Sequence, residues 1–430
     1  MRFLFPKSIR FYVPLIIIQF YLFISVGLFF WGPWPWPYEN GLSLFLYLIF
    51  SQFLILLGYF LGISVSYRNN ADYSVSFSKR FYRLSIIFSI ILLVPTTIAR
   101  TGHYFPFFFT GIEEIGVAYN IALQAKENIG LWVSAEYLRI VFSVFLISLY
   151  PLTVFYWPIL TLREKIISLV VLIWFLSIYI TTGTNKFFAD ILITIYFLYL
   201  LQRYAFYNPG WMKKIKIFIF LFFMAIFFIY FFAYGQLTRD GGVGEFAVFN
   251  TGAELIYAQR YEGLPVILQV FVESISRYLT QGYYALDLAF RVESSPSTFG
   301  LGGSYFLAEN ANSLFGTSYF TESSLPGLIE YHYGWSMYQL WHSIYPWLAS
   351  DFGFLGALLM LGFFSFLLAF SWKRSVLYRD PFMVVIAYLT IILFFYVPAN
   401  NQVFQFGEYL VGFMSLFLYA FFFRKIKWRK

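Results

Sequence analysis

Residues 11–31 read FYVPLIIIQFYLFISVGLFFW, and residues 41–64 read GLSLFLYLIFSQFLILLGYFLGIS. Both stretches lack charged residues, and each is long enough to cross a hydrocarbon core of about 30 Å as an α-helix. Arg2, Lys7 and Arg10 precede the first stretch, as in a secretory signal peptide. Its length and the absence of a small-residue cleavage site predict an uncleaved first transmembrane helix instead.

Apolar runs of this kind recur along the chain, in which 60% of the residues are hydrophobic, 12% are charged and the mean hydropathy is +0.71. Because lipid offers backbone groups no hydrogen-bond partners and no alternating barrel pattern is visible, each run is predicted to be a helix. The chain is therefore predicted to be an all-α integral membrane protein with about ten transmembrane helices, near residues 11–31, 41–64, 83–98, 136–158, 166–183, 187–202, 215–235, 352–371, 381–397 and 407–423.

The distribution of Lys and Arg predicts the orientation. With the N-terminus inside, the cytoplasmic segments hold 21 of the 29 basic residues, which satisfies the positive-inside rule and places both termini in the cytoplasm. The net charge of +8 is thus explained by topology, and a nucleic-acid partner is excluded. The chain has no Cys and only three His, so thiol chemistry and iron–sulfur clusters are excluded and a dedicated metal centre is not expected.

Three regions follow from this topology. Residues 1–235 hold helices 1–7 and a small outer loop at 99–135. Residues 236–350 form one large outer loop, and residues 351–430 hold helices 8–10.

Two parts of the large loop have different patterns. Residues 262–290 carry apolar side chains at helical spacing and predict an amphipathic helix, too charged to span, on the membrane surface or on the bundle. Residues 291–325 are rich in Ser, Gly and Asn and predict a loop.

The large loop is acidic, with ten Asp and Glu against four Arg and no Lys. Guanidinium groups bind phosphate bidentately and stay charged, so Arg239, Arg260 and Arg277 are candidate phosphate ligands. The alternative is local pairing, of Arg277 with Glu273 one helical turn away and of Arg239 with Asp240.

Candidate site residues also stand where predicted helices meet the membrane surface. A short turn puts Lys186 near the outer face, where a lipid-linked phosphate would lie, although a snorkelling lysine is the alternative. His342 stands just before a helix and is suited to take a proton from a hydroxyl, with Glu330 and His332 as competing bases. A hydrogen-bonding role at the interface is the alternative for His342. Asn401, in the last outer turn, is suited to bind sugar hydroxyls or to cap a helix.

Three short segments and the overall layout carry a family resemblance: Thr182-Gly183-Thr184-Asn185-Lys186, Tyr278-Leu-Thr-Gln-Gly-Tyr-Tyr284 and the block Trp341–Gly356. Together with many helices and one large outer loop before the last few, they resemble the O-antigen (oligosaccharide repeat-unit) polymerases of the Wzy type, which are related to O-antigen ligases. The first segment looks like the Thr-Gly-Ser-Arg-Gly-type turn of these proteins.

Within the third segment, four residues match the spacing of the ligase motifs His-Asn-x-Tyr-Leu and Gly-x-x-Gly: His342, Tyr345, Gly353 and Gly356. The chain also departs from the family pattern. Lys186 stands where Arg is usual, which keeps the charge but loses the bidentate fork. Ser343 and Pro346 replace the Asn and Leu of the ligases, which favours a polymerase.

The resemblance implies a metal-independent glycosyltransferase with a GT-C-like transmembrane fold in the bacterial inner membrane, with its active site on the periplasmic side. It would move a growing glycan from polyprenyl diphosphate onto a second lipid-linked repeat unit and use no cofactor. Membrane lipids are the expected surroundings, and a chain-length regulator protein is a candidate partner.

The same resemblance implies roles for the candidate residues. His342 would be the base, with Glu330 or His332 in reserve. Cationic side chains would hold the diphosphate, namely Arg277, Arg239 and Arg260, with Arg100 and Lys186 assisting. Aromatic and amide side chains would bind the glycan or the polyprenyl chain, namely Tyr283, Tyr284, Trp341, Tyr345 and Asn401.

Two other functions fit a chain of this layout. An O-antigen ligase would use the same donor but transfer the glycan to lipid A core. A transporter or flippase of lipid-linked glycan would carry ionisable residues near the bilayer midplane and broken helices, whereas the charges here cluster at helix ends.

Overall fold

A computed structural model of the chain describes residues 9–65, 75–106, 133–184, 186–206, 211–239, 249–250, 255–256, 263–293 and 297–423. Apart from one antiparallel pair of two-residue strands, β1 (Phe249–Asn250) and β2 (Leu255–Ile256), the regular structure of these residues is helical. The predicted all-α class is therefore confirmed.

Sixteen α-helices are present in the described residues: α1 Val13–Trp31, α2 Gly41–Ser64, α3 Val75–Ile91, α4 Leu93–Thr101, α5 Val133–Val141, α6 Ser143–Tyr156, α7 Leu162–Thr181, α8 Lys186–Phe206, α9 Trp211–Arg239, α10 Val266–Phe290, α11 Tyr305–Phe315, α12 Tyr319–Glu322, α13 Leu325–Tyr333, α14 Ile344–Tyr378, α15 Pro381–Tyr396 and α16 Gly407–Leu418.

Five of the described helices are long and apolar enough to cross a membrane, namely α1, α2, α7, α8 and α14. The count rises to seven if each of two bent pairs is one span: α3 with α4, bent by 43°, and α5 with α6, bent by 65°. Shorter apolar helices occupy Phe222–Leu237, Pro381–Tyr396 and Gly407–Phe422. Eight of the ten predicted segments thus coincide with a single helix and two with the bent pairs, of which five to seven are long and apolar enough to span. The chain is a multi-pass helical membrane protein.

Helices α2 and α14 pack against each other over an extensive contact. A Cβ atom added to Gly58 of α2 would lie 1.9 Å from the backbone oxygen of Gly362, and one added to Gly62 would lie 2.4 Å from that of Phe366. Small residues allow such approach, which supplies the packing that joins helices in lipid. The Ser365 hydroxyl also donates to the Ile55 carbonyl at 2.7 Å.

Helix α1 makes hydrogen bonds with segments far along the chain. The Tyr21 hydroxyl donates to the Phe395 carbonyl at 2.6 Å, and the hydroxyls of Ser25 and Tyr283 lie 2.9 Å apart. These bonds tie the first span to α15 and α10, so one face of α1 packs against helices from late in the chain, while Ile16 and Phe20 on its other side are exposed.

Helix α10 confirms the helix predicted for residues 262–290 and shows where it packs. It contacts α1, α2, α9, α13 and α14, and its buried positions extend from Glu273 to Ala289. Of the two predicted locations, on the membrane surface or on the bundle, the structure has the second.

The loop predicted for residues 291–325 is wrong in part, because α11 and α12 lie within it. The Ser304 side chain caps α11 by accepting from the amide of Leu307, and Gly316 ends the helix in a left-handed conformation. Ser and Gly here mark helix ends, which explains why a composition rich in these residues resembled a loop.

Helix α14 is broken near its start. Gly353 has φ 65° and ψ 172°, so Ile344–Phe352 and the remainder to Tyr378 are two helical pieces. The predicted boundary between the large loop and the following helices, at residue 350, falls just before this break.

Candidate functional site

Arg277 lies in the middle of α10 with 8% of its surface exposed. Its guanidinium donates to the side-chain oxygen of Gln236 on α9 at 3.0 Å, and its Cζ lies 5.9 Å from the ring centroid of Trp34. The Trp34 indole in turn donates to the Glu273 carbonyl at 3.0 Å. Arg277 is therefore held by groups from two parts of the chain that are distant from it in sequence.

The segment before α14 packs directly on this part of α10. The rings of Tyr278 and Trp341 meet edge to face at 4.8 Å, and the amide of Ser343 donates to the carbonyl of Gly282 at 3.3 Å. A Cβ on Gly282 would lie 2.6 Å from the Ser343 nitrogen, so only glycine allows this approach. The structure thus packs the segment of His342 on α10 between Tyr278 and Gly282, directly after Arg277.

His342 is 1% exposed and points one ring nitrogen at the backbone. Its Nδ1 lies 3.1 Å from the Leu340 carbonyl, which requires a hydrogen on Nδ1 and leaves Nε2 as the acceptor. Within the described part of the chain, Nε2 has no hydrogen-bond partner. Burial lowers the pKa of His342 to about 4, so the ring is neutral at physiological pH.

This pKa predicts a pH dependence of stability. Because the unfolded chain binds a proton near pH 6.5 and the folded protein only near pH 4, stability falls as pH drops through that window and levels off below it. The expected loss is about 3 kcal/mol. Thermal unfolding of the detergent-solubilised protein between pH 7 and pH 4 measures it.

His342→Gln should flatten that part of the pH profile. His332→Gln is the matched control, because His332 is exposed on α13 and its replacement should leave the profile unchanged. A wild-type profile that His342→Gln does not alter would contradict the prediction.

The rings of Trp36, Tyr284 and Trp335 form an aromatic wall beside Arg277 and the Trp341–Ser343 segment. The Trp36 ring stacks on Tyr284 at 5.3 Å, Tyr284 meets Trp335 at 5.2 Å, and the Trp335 indole donates to the Trp341 carbonyl at 3.3 Å. Of the predicted aromatic ligands, Tyr284 and Trp341 therefore lie at this site, although Tyr284 is fully packed in the wall.

Tyr283 and Tyr345 are elsewhere. Both are fully buried, and their hydroxyls pair with Ser25 at 2.9 Å and with Ser51 at 2.8 Å. Their side chains fill the contacts of α10 and α14 with α1 and α2, so in this conformation they are helix-packing residues and not part of a surface open to a ligand.

Arg100 lies in a separate group of charges. Its guanidinium forms two bonds to Glu136, at 2.9 and 3.2 Å, and a third to the Tyr179 hydroxyl at 3.1 Å. Arg139, on the same helix as Glu136, pairs with Glu408 at 2.5 Å. A fork that is already occupied by a carboxylate is a weaker candidate for phosphate than its charge alone indicates.

Lys186 belongs to the same end of the bundle. Its ammonium lies 3.2 Å from Asp190 and 4.0 Å from the ring centroid of Tyr409. Asp190 is fully buried, and its Oδ1 has no hydrogen-bond partner within the described residues. Lys186 therefore forms an ion pair with Asp190 within α8, and it also lies near the turn at Gly183.

Tyr396 connects this charged group with the first site. The Tyr396 ring lies 6.1 Å from the Trp341 ring. The Tyr396 hydroxyl interacts electrostatically with the Asp190 carboxylate. Asn401 lies beyond it in the following turn, fully buried, and donates to the Gly303 carbonyl at 2.7 Å. The two clusters are thus adjacent but distinct.

The two competing bases lie on α13. Glu330 is half-buried and accepts from the backbone amide of Met337 at 3.1 Å, which commits one of its oxygens to the following turn. His332 is exposed between Tyr331 and Tyr333. These contacts of Glu330 and His332 are with neighbouring residues and not with α10, although α13 itself packs on that helix.

Several predicted residues fall outside what the structure describes. Arg260 and Asn185 are not among the described residues, and of Arg239 only the backbone, at the end of α9, is described. The described side chains include no group of three His, Asp or Glu placed to hold a metal ion.

No family model matches the chain, and comparisons with curated proteins and with solved structures find no significant match.

Sequence reasoning missed two features of these sites. Gln236 was not singled out, because a lone amide inside an apolar run gives no signal of its partner. Arg139 stands at the start of another apolar run, and a charge in that position is a sequence signal of an interior partner, which here is Glu408.

Proposed function

We propose that this chain polymerises lipid-linked oligosaccharide repeat units, transferring the growing glycan from polyprenyl diphosphate to a sugar hydroxyl of the incoming unit. The observation that carries the proposal is the packing of the Trp341–Ser343 segment on α10 next to Arg277, which places a permanent cation and an unprotonated imidazole nitrogen in contacting segments. These are the two groups that the reaction needs.

Arg277 acts on the leaving group. When the bond between the anomeric carbon and the phosphate oxygen breaks, the electron pair stays on the diphosphate, and a planar guanidinium stabilises that charge through paired hydrogen bonds. Gln236 and Trp34 hold the guanidinium in position. Arg239 and Arg260 assist. Arg100 and Lys186 can bind the diphosphate only after their ion pairs with Glu136 and Asp190, respectively, are broken.

His342 acts on the acceptor. Its Nε2 takes the proton of the sugar hydroxyl as the oxygen bonds to the anomeric carbon, and the Leu340 carbonyl fixes the required tautomer. The ring is buried, so the acceptor reaches Nε2 only after a neighbouring side chain moves; Trp347, whose ring lies 6.2 Å away, is one such neighbour. Glu330 and His332 remain the reserve bases.

The surroundings of the reaction are part of the same proposal. The ten helical segments span a bacterial inner membrane as a GT-C-like frame, with both termini in the cytoplasm and Arg277 and His342 on the periplasmic side. This orientation is supported by the basic residues at alternate connections. Trp341, which is half-buried, lines the route of the glycan or polyprenyl chain, whereas Tyr284 and Asn401 support it from buried positions. A chain-length regulator is a candidate partner.

Deletion of the gene tests the proposal, with lipopolysaccharide separated as a glycan ladder on a gel. Loss of a polymerase leaves lipid A core bearing one repeat unit. Loss of a ligase leaves bare core with polymer still attached to its lipid carrier, and loss of a flippase leaves bare core with single units on the cytoplasmic face. Either of the last two patterns would overturn the proposal.

A further inference from the structure

Helix α11 is tied at its beginning to the turn between two apolar helices. The Ser304 hydroxyl donates to the Phe404 carbonyl, and the Tyr305 amide donates to the side-chain oxygen of Gln405 at 3.1 Å. Residues 404 and 405 lie between α15 and α16. The start of α11 is therefore level with the ends of these helices.

The other end of α11 is linked to the start of α14. The side-chain amide of Asn312 donates to the Thr321 hydroxyl at 2.7 Å. Four residues after Thr321, the backbone amide of Leu325 donates to the Ser350 hydroxyl at 2.9 Å. Since a helix of this length measures about 16 Å, α11 lies across the rim of the bundle from α16 towards α14.

A second segment is fixed to the same rim by Asp351. Its carboxylate accepts from the Thr298 hydroxyl at 2.6 Å and from the amides of Gly300 and Gly302 at 2.9 and 3.0 Å. Between these donors Phe299 adopts φ 54°, in the left-handed region that bulky residues rarely occupy. Bonds on both sides thus hold this ring in an exposed position.

The exposed side chains of both segments are large and apolar. Phe299 is 74% exposed, Leu314 is 78% exposed and Phe315 is 67% exposed. The contacts that join them run through Tyr319, whose hydroxyl donates to the Ser297 carbonyl at 3.3 Å, and Phe320, whose ring lies 5.9 Å from that of Phe315.

We propose that Phe299, Leu314 and Phe315 insert into the bilayer leaflet at this end of the bundle and anchor residues 297–325 to the lipid. The partner is lipid because the patch is fixed, through Asp351, beside exposed apolar side chains of a helix long and apolar enough to cross a membrane. Phe352 and Leu355, on the span that follows Asp351, are also exposed. An apolar tip at the level of the span ends is suited to the headgroup–acyl boundary.

The proposal is separate from the glycosyltransferase proposal, and its test needs no glycan. Because the chain has no Cys, single substitutions provide unique labelling sites: Phe299→Cys, Leu314→Cys and Phe315→Cys. Each variant is labelled with a nitroxide and reconstituted in vesicles of phosphatidylethanolamine and phosphatidylglycerol. Spin-label collision rates are then measured with oxygen, which concentrates in lipid, and with a water-soluble nickel chelate.

Two matched controls bracket the result. Leu355→Cys reports a lipid-facing position, and Glu309→Cys reports an exposed charged position on α11, about 140° around the helix from Leu314. We expect the ratio of oxygen to nickel collisions at the three sites to exceed that at residue 309 severalfold and to match that at residue 355.

Two outcomes would overturn the proposal. Ratios at all three sites equal to that at residue 309 would place the patch in water. Low collision rates with both reagents would mean that protein covers the patch, as a second copy of the chain would.

Discussion

Arg277→Ala is expected to abolish chain lengthening while the protein still inserts and folds. Removing one pre-positioned cationic donor from a developing oxyanion slows such reactions by about a hundredfold to a thousandfold. Arg277→Lys keeps the charge but loses the planar fork, so it should also be impaired. The measurement is the glycan ladder of cells that carry the variant in place of the wild type, with membrane levels compared by immunoblot.

Gln236→Ala separates positioning from charge at the same site. The Gln236 side chain accepts from the Arg277 guanidinium at 3.0 Å, and its loss should shorten the ladder less than Arg277→Ala does. Glu309→Gln, an exposed change on α11, is the control and should leave the ladder intact. Full-length polymer from Arg277→Ala would remove this arginine from the mechanism.

Gly58→Leu is expected to prevent α2 from docking on α14. The new Cβ would lie 1.9 Å from a backbone oxygen of Gly362, and a backbone atom cannot move aside as the end of a side chain can. Overpacking of a tight contact costs about 1–3 kcal/mol or more, and this clash is at the upper end. Size-exclusion chromatography in mild detergent should show aggregate in place of a single folded species.

Gly27→Leu is the matched control for that experiment. Gly27 also lies inside an apolar span, but nothing is within 4 Å of a Cβ added there, so the variant should elute and unfold like the wild type. A Gly58→Leu variant as stable as Gly27→Leu would show that the α2–α14 contact is looser than these distances indicate.

The helical segments were predictable because lipid leaves an uncharged apolar run few alternatives. The bends were harder to see. Residues 83–98 look like one continuous run, yet α3 and α4 meet at 43°, and Pro95 accounts for the break because its ring removes an amide donor near the start of α4. The packing position of α10 could not be predicted from the sequence, because Glu273 and Arg277 are buried by Trp34 and Gln236, which are distant along the chain.

Residue type identified the candidate site only in part. Arg277 and His342 could be selected for their chemistry. The ion pair of Lys186 with Asp190 could have been predicted from their i,i+4 spacing. The ion pair of Arg100 with Glu136 could not be predicted from the sequence, because 36 residues separate them. Likewise, nothing in the sequence distinguishes Tyr283, which packs in the core, from Tyr284 in the aromatic wall.

The hydrogen bonds of α1 have a consequence for biogenesis. The carbonyl that the Tyr21 hydroxyl reaches, on Phe395, is synthesised 374 residues after Tyr21 itself. Ser25 must likewise wait for Tyr283, and the Arg10 carbonyl for the indole of Trp372. Helix α1 is therefore synthesised well before its hydrogen-bond partners on α10 and α15. Until those helices are inserted, the Tyr21 and Ser25 hydroxyls must bind other partners, such as insertion machinery or lipid headgroups.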